Sequence, residues 1–164
     1  RRDWRRSPRT GQELDFFVLD APNWVNVLAL TPDRQAVLVE QFRHGTASID
    51  LEIPGGVMDP NDASPVATGI RELQEETGYV GENARVLGHI SPNPAIQGNL
   101  CYTILIENCV LSRERQFDPG EDLATRLVPA AELPGLVASG LIRHSLVAVA
   151  ILHFDLWWRG VKPA

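Results

Sequence analysis

The hydrophobic positions of the chain fall mostly into short runs that are separated by turn-forming residues. Runs of this kind, with alternating or continuous apolar residues, predict strands that are covered on one or both faces. The predicted strands span residues 14–19, 25–30, 35–42, 49–53, 85–90, 102–111 and 123–128. Stretches with helical periodicity predict helices over residues 65–77, 129–138 and 144–158.

The order of these elements predicts the fold class. Strands come first, one helix lies between them and helices close the chain, which favours an α+β fold built as an α/β/α sandwich. No repeat or linker divides the 164 residues, so we predict a single domain over residues 1–164. Residues 1–12 form an Arg-rich start, which we interpret as a flexible arm or as a segment that contacts phosphates or a partner subunit.

The helix predicted over residues 65–77 has clear ends. Ser64 is a good N-cap, Pro65 suits the first helical position and Gly78 suits the residue after the last turn. A helix with such specific boundaries presents its side chains in a defined order, so its faces can be compared.

Projection of this helix at about 100° per residue separates an apolar stripe from an acidic face. The predicted core-facing residues are Val66, Ile70, Leu73 and Thr77, and the opposite face carries Glu72, Glu75 and Glu76. Like charges one turn apart repel, so a cation between them would stabilise the helix. Carboxylate oxygens favour Mg²⁺ or Mn²⁺ over zinc. A solvated acidic face is the alternative interpretation.

Charge and cysteine content narrow the possible functions. The net charge is −6, and residues 1–10 alone contribute five arginines and one aspartate, so the rest of the chain is more acidic still. An acidic body argues against nonspecific nucleic-acid binding. No apolar run is long enough to cross a membrane, and no secretory signal opens the chain. Cys101 and Cys109 lie too far apart on one predicted strand to form a disulfide. We therefore expect a cytoplasmic protein.

A longer motif surrounds the acidic helix. Residues 56–79 read GVMDPNDASPVATGIRELQEETGY, which resembles the Nudix box with its R-E-U-x-E-E-x-G-U core, where U is a bulky apolar residue. The first half departs from the box in two ways. Asp62 stands where the family usually has glutamate, and eight residues rather than seven separate it from Arg71.

The resemblance extends to residues 37–56, VLVEQFRHGTASIDLEIPGG, and to Pro94, fifteen residues after Tyr79. Both are similar to the ADP-ribose and nucleoside-diphosphate-sugar pyrophosphatases of the family. This implies a Nudix fold with a mixed central sheet, a homodimer, and Mg²⁺-dependent cleavage of a nucleoside-diphosphate sugar to a nucleoside monophosphate and a sugar phosphate. Alternative functions are hydrolysis of nucleoside triphosphates or dinucleoside polyphosphates, and nucleotide sensing without catalysis.

The resemblance also implies roles for individual residues. Glu72 and Glu76 would be the main metal ligands, with Glu75 shared or bridging and the Gly56 carbonyl completing the set. Arg71, four residues before Glu75, would orient that carboxylate. The implied metal ligands are Gly56, Glu72, Glu75 and Glu76.

The remaining predicted site residues lie outside the box. Arg43 would hold a diphosphate oxygen, with a surface ion pair as the alternative, and Glu52 pairs with Arg71 or lies near the metals. Trp24, at a strand entrance, would stack on the nucleobase or fill the core. For the general base we choose Glu121 in the acidic loop 118–122, with Asp122 or a box glutamate as alternatives.

Overall fold

A computed structural model of the chain describes residues 1–117 and 122–161. The described strands are β1 (Arg2–Arg6), β2 (Glu13–Phe17), β3 (Trp24–Ala29), β4 (Gln35–Arg43), β5 (Ser48–Glu52), β6 (Gly55–Val57), β7 (Tyr79–Ile90), β8 (Cys101–Leu111) and β9 (Leu123–Pro129). The described helices are α1 (Pro65–Thr77), α2 (Leu133–Ala138) and α3 (Ser145–Trp158), with a 3-10 turn at Ala130–Glu132.

Two sheets form the centre of the fold. The first has the order β6-β3-β8-β7 and is mixed, because β3 and β8 run parallel while the other pairs are antiparallel. The second is antiparallel, with the order β5-β4-β9. Together with the helices they make the α+β sandwich that the sequence predicted.

Strand β3 is covered on both faces. Val27 and Ala29 belong to a core cluster that includes Leu73 of α1, whereas Leu28 and Leu30 belong to a second cluster that includes Phe154 of α3. Because successive residues of a strand point to opposite faces, one apolar run supplies both cores. Helices α1 and α3 therefore pack on opposite sides of the first sheet. None of the described helices has the length and apolarity that a membrane span requires.

Strand β7 begins at Tyr79, six residues before its predicted start, and three other local features differ from the sequence-based assignment. Gly55–Val57, which lies outside the predicted strands, is strand β6, because these residues pair with the first half of β3. The helix predicted over residues 129–138 begins as a 3-10 turn before α2. Residues 1–12, interpreted as an arm, contain strand β1, which pairs with β2. There Arg6 and Glu13 form one of several ion pairs that offset the arginine charge.

Helix α1 has the predicted ends. The Ser64 hydroxyl accepts a hydrogen bond from the Ala67 amide at 3.1 Å, and Gly78 takes a left-handed conformation with φ of 74°. Its buried face includes the predicted Leu73 and Thr77, but the prediction is wrong for Ile70. Ile70 is 44% exposed, whereas Glu76 is only 4% exposed. The buried face is rotated toward Glu76, which lies against β6 instead of facing solvent with Glu75.

Both cysteines are buried and unpaired, as the sequence predicted. Burial raises the pKa of the Cys101 thiol to about 11 and that of the Cys109 thiol to about 12. Only the thiolate is an effective nucleophile, so these side chains are chemically inert in the folded protein.

We therefore expect neither cysteine to react with a disulfide reagent such as DTNB at pH 8 while the protein is folded. Unfolding in guanidinium chloride should expose both thiols and return their pKa to ordinary values, so that both react within minutes. Release of the coloured thiolate product, followed by absorbance, measures this directly. Rapid labelling of the native protein would contradict the buried positions in β8.

Candidate active site

A cavity of about 290 Å³ opens where strand β6 meets helix α1. Its lining brings together residues from four separate parts of the chain: Gln41 and Arg43 of β4, Gly55, Gly56 and Val57 of β6, Asp59 of the following loop, and Arg71, Glu72 and Glu76 of α1. Three carboxylates, those of Asp59, Glu72 and Glu76, and two guanidinium groups thus face one space. Glu75 lies outside the lining.

Strand β6 lies against the two glutamate carboxylates of the cavity. The Gly55 amide donates a hydrogen bond to Oε2 of Glu76 at 3.1 Å. Gly56 lies so close to Glu72 that a Cβ at this position would come within 2.5 Å of Oε1 of Glu72. The absence of a side chain at Gly56 is therefore what leaves room for the Glu72 carboxylate.

Arg71 connects the loop before α1 to the acidic residues of the helix. Its Nη1 contacts Oε1 of Glu72 at 2.9 Å and Oε2 of Glu75 at 2.8 Å. Its Nη2 donates to the Val57 carbonyl at 3.2 Å and to Oδ2 of Asp62 at 3.0 Å. The expected pair of Arg71 and Glu75 is present, and these partners raise the pKa of Arg71 above its ordinary value, with Asp62 contributing most.

Asp62 reaches Arg71 despite its irregular place in the motif. Its carboxylate also accepts hydrogen bonds from the Thr68 hydroxyl at 2.9 Å and the Asp59 amide at 3.0 Å. The extra residue is absorbed by the loop before Ser64. The hydrogen bond from Arg71 is the largest of the effects that lower the pKa of Asp62 to about 2.

This lowered pKa predicts a pH-dependent contribution to stability. Asp62 has an ordinary pKa of 3.8 and a folded-state pKa of about 2, so its stabilising effect is complete above about pH 4 and is lost as the pH falls toward 2. Asp62→Asn should lower the melting temperature at pH 7, and the difference from the unmodified protein should shrink between pH 4 and pH 2.

Asp59→Asn is the matched control, since Asp59 is exposed and lies 3.8 Å from the same guanidinium nitrogen. Exposed pairs of this kind contribute little, so its melting temperature should stay close to that of the unmodified protein. A difference for Asp62→Asn that is constant from pH 7 to pH 2 would contradict the assigned role of the carboxylate.

Arg43 and Glu52 form a bidentate ion pair at the edge of the cavity. Nε of Arg43 contacts Oε1 of Glu52 at 2.7 Å, and Nη2 contacts Oε2 at 2.8 Å. The suggested pair of Glu52 and Arg71 is therefore wrong. Glu52 pairs with Arg43, and Arg71 contacts residues of α1 and of the loop before it. Glu52 is only 2% exposed, and its hydrogen bonds raise the pKa of Arg43.

The other predicted site residues have different outcomes. Trp24 is half-buried at the start of β3 and lines a neighbouring cavity that shares Arg43 with the first. Glu121 lies outside the described residues, and Asp122 is exposed just before β9. Gln41 was not predicted, although its spacing of two residues from Arg43 on β4 puts both side chains on one face.

The three box glutamates have different surroundings. Glu72 and Glu75 contact Arg71, while Glu76 accepts from Gly55. Within residues 1–117 and 122–161, no three His, Cys, Asp or Glu side chains are arranged so that they could hold a metal ion. The cavity-lining carboxylates of Glu72 and Glu76 nevertheless supply the hard oxygen donors that Mg²⁺ prefers.

Comparison with known proteins identifies the family. The profile described as NUDIX domain matches residues 22–145. This range includes strand β3, the cavity and the whole of α1. The chain belongs to the Nudix family. The resemblance found in residues 56–79 is thereby confirmed, and the box helix is α1.

Two curated relatives of this Nudix chain are pyrophosphatases. It is 29% identical over 140 residues to the ADP-ribose pyrophosphatase of Bacillus subtilis (strain 168), covering 85% of this chain and 75% of that protein. It is 35% identical over 88 residues to the ADP-sugar pyrophosphatase of Mus musculus, covering 53% of this chain and 40% of that protein. The chain therefore spans less than half of the mouse relative.

A solved structure of an ADP compounds hydrolase has the same fold. The TM-score is 0.82, with 18% sequence identity, and the match covers 98% of this chain and 92% of that one. At this identity the likeness establishes the Nudix fold and leaves substrate choice to the residues of the site.

Proposed function

We propose that this chain is a Mg²⁺-dependent pyrophosphohydrolase that cleaves the diphosphate of ADP-ribose or a related nucleoside-diphosphate sugar. Water adds to one phosphorus, the bond from that phosphorus to the bridging oxygen breaks, and a nucleoside monophosphate and a sugar phosphate are released. The observation that carries the proposal is the single cavity in which Glu72 and Glu76 of the box helix face Arg43.

Glu72, Glu76 and the Gly56 carbonyl are the proposed metal ligands, with Mn²⁺ as a possible substitute for Mg²⁺. Glu75 is the assisting carboxylate, kept beside Glu72 by their shared contact with Nη1 of Arg71. A bound divalent ion would neutralise diphosphate charge and lower the pKa of water. Arg71 is a positioning residue, because it fixes both carboxylates and the loop that carries Asp62.

Arg43 is the proposed diphosphate-binding residue. A guanidinium has five N–H donors, and the pair with Glu52 engages only Nε and Nη2. Nη1 lies outside that pair, and the half-exposed side chain can donate from it to a phosphate oxygen. Glu52 acts through Arg43 by fixing the plane of the guanidinium. Trp24 is the proposed stacking surface for the nucleobase.

Glu121 is the proposed general base, with Asp122 as the alternative. The described residues on either side of the acidic loop support this choice. The Gln116 amide donates to the Glu75 carbonyl at 2.9 Å, and Leu123 pairs with the cavity-lining Gln41. The described residues that flank the loop are thus fixed next to α1 and β4, the elements that line the cavity.

We also propose that the 164 residues form one domain and that the protein is a cytoplasmic homodimer. The β1–β2 hairpin supports the dimer, since it exposes Trp4, Phe16 and Phe17 and a two-stranded hairpin is marginally stable alone. Two buried free thiols in β8 are typical of a reducing compartment.

A substrate panel tests the proposed activity. ADP-ribose, other nucleoside-diphosphate sugars, nucleoside triphosphates and a dinucleoside polyphosphate are incubated with Mg²⁺, and phosphate is measured after phosphatase treatment. The highest kcat/KM is expected for a nucleoside-diphosphate sugar. A preference for triphosphates or dinucleoside polyphosphates would overturn the substrate class. Nucleotide binding without hydrolysis of any compound would indicate a sensor.

A further inference from the structure

A second cavity of about 250 Å³ adjoins the carboxylate cavity. The two share a wall that consists of Arg43, Gly55, Gly56 and Val57. The second cavity continues past this wall to residues at the start of β3 and of α3: Trp24, Asn26, His144 and Leu146. A diphosphate that contacts Arg43 would therefore have one of its two ends directed into this space.

Two nitrogen atoms of residues in this lining are buried without a hydrogen-bond partner. Nδ2 of Asn26 and Nδ1 of His144 have no hydrogen-bond partner among the residues that the structure describes. Buried polar atoms are rarely left unpaired in folded proteins, because desolvation is then uncompensated. Because both residues line the second cavity, a polar ligand bound there would satisfy these atoms once the side chains turn toward it.

The positions of both residues are fixed by their surroundings. Asn26 lies opposite Gly55 in the pairing of β3 with β6. The residue before His144 is Arg143, whose Nε and Nη2 contact Oδ1 of the buried Asp50 at 3.0 Å and 2.5 Å. This ion pair ties the start of α3 to β5. The His144 side chain makes no capping hydrogen bond to its helix, so it is available for recognition.

We infer that Asn26 and His144 are specificity-determining residues that recognise the nucleobase end of the substrate, which Trp24 covers by stacking. The Asn26 amide would donate to a ring nitrogen or carbonyl of the base. The His144 imidazole would donate or accept according to its tautomer. This inference rests on the proposed function for the identity of the ligand, and it adds residues that lie outside the Nudix box.

The unpaired state of Asn26 makes the inference unusually easy to test. Replacing a buried donor that has no partner removes no hydrogen bond from the free protein. Asn26→Ala and the volume-conserving Asn26→Leu should therefore melt no lower than the unmodified protein by more than a few degrees. Thr125→Val is the matched control, since it removes another buried unpaired group, in β9, away from this cavity.

Calorimetric titration with the two reaction products separates the ends of the substrate. AMP should bind about tenfold more weakly to Asn26→Ala, Asn26→Leu and His144→Ala, as expected for one lost hydrogen bond each. Ribose 5-phosphate should bind equally to all variants, and Thr125→Val should match the unmodified protein. Unchanged AMP affinity in folded variants, selective loss of ribose 5-phosphate affinity, or no AMP binding by the unmodified protein would overturn the inference.

Hydrolysis kinetics keep this test distinct from that of the proposed function. If ADP-ribose is hydrolysed and the variants raise KM about tenfold with little change in kcat, both hold. If hydrolysis occurs with unchanged KM in all variants, the inference fails and the proposed function stands. If no nucleotide is hydrolysed but AMP binding weakens as described, the recognition site stands and the catalytic proposal fails.

Discussion

Glu76→Gln is expected to lower kcat for ADP-ribose by about a thousandfold. The variant removes the negative charge of a carboxylate proposed to bind the metal. It keeps the shape of the side chain and an oxygen that can accept the 3.1 Å hydrogen bond from the Gly55 amide. The fold should therefore persist, and circular dichroism melting should show at most a small change. Steady-state kinetics at saturating Mg²⁺ measure the loss.

Glu132→Gln provides the control for this prediction. Glu132 is exposed in the 3-10 turn before α2, so the same chemical change there should leave kcat and KM unaltered. Mg²⁺-dependent turnover by Glu76→Gln at near the unmodified rate would contradict the proposed mechanism. A collapse of the fold would show instead that Glu76 is required for structure, which the retained hydrogen bond argues against.

Gly56→Ala is expected to reduce kcat/KM by about a hundredfold while leaving the melting temperature nearly unchanged. The new Cβ would approach both carboxylate oxygens of Glu72, to 2.5 Å and 2.7 Å. The end of a glutamate side chain can swing away at low cost, so the protein accommodates the methyl group. The carboxylate then leaves the position proposed for metal binding, and roughly 3 kcal/mol of transition-state stabilisation is lost with it.

Gly55→Ala is the informative comparison. A Cβ at Gly55 would collide with the backbone carbonyl of Val25 in the neighbouring strand, and backbone cannot rotate aside. This variant should therefore lose stability, by several degrees in melting temperature, before any effect on chemistry is considered. Full activity of Gly56→Ala would contradict the proposal that the Glu72 carboxylate binds the metal from its position next to Gly56.

The ends of helix α1 and the burial of strand β3 followed from local chemistry. Ser64, Pro65 and Gly78 set the ends of α1 through backbone preferences that act within a few residues. The apolar run of β3 indicated a strand covered on both faces because its residues alternate between the two cores. Capping preferences and strand alternation are local properties of the sequence, so they do not depend on distant residues.

Features that depend on distant parts of the chain were predicted less well. The projection put Ile70 in the core and Glu76 on the open face, since hydrophobicity alone sets the direction of the stripe. The structure buries Glu76 because strand β6 supplies a backbone donor to its carboxylate. That donor comes from a segment with too little apolar sequence to be predicted as a strand.

The partners of the charged residues show the same limit. Arg71 with Glu75 was predictable from their spacing on one helix. Arg43 with Glu52 was not, because it depends on the register of β4 and β5. Asn26 and His144 carry no motif, and only the fold brings them to one cavity.

The central claim is metal-dependent cleavage within the diphosphate by the site on α1. The most direct test is product analysis of ADP-ribose, separated by ion-exchange chromatography, with Mg²⁺, with EDTA and after Mg²⁺ is restored. We predict equal amounts of AMP and ribose 5-phosphate with Mg²⁺, none with EDTA, and recovery when the metal is returned. ADP-ribose that stays intact with Mg²⁺, or equal cleavage in EDTA, would contradict the account.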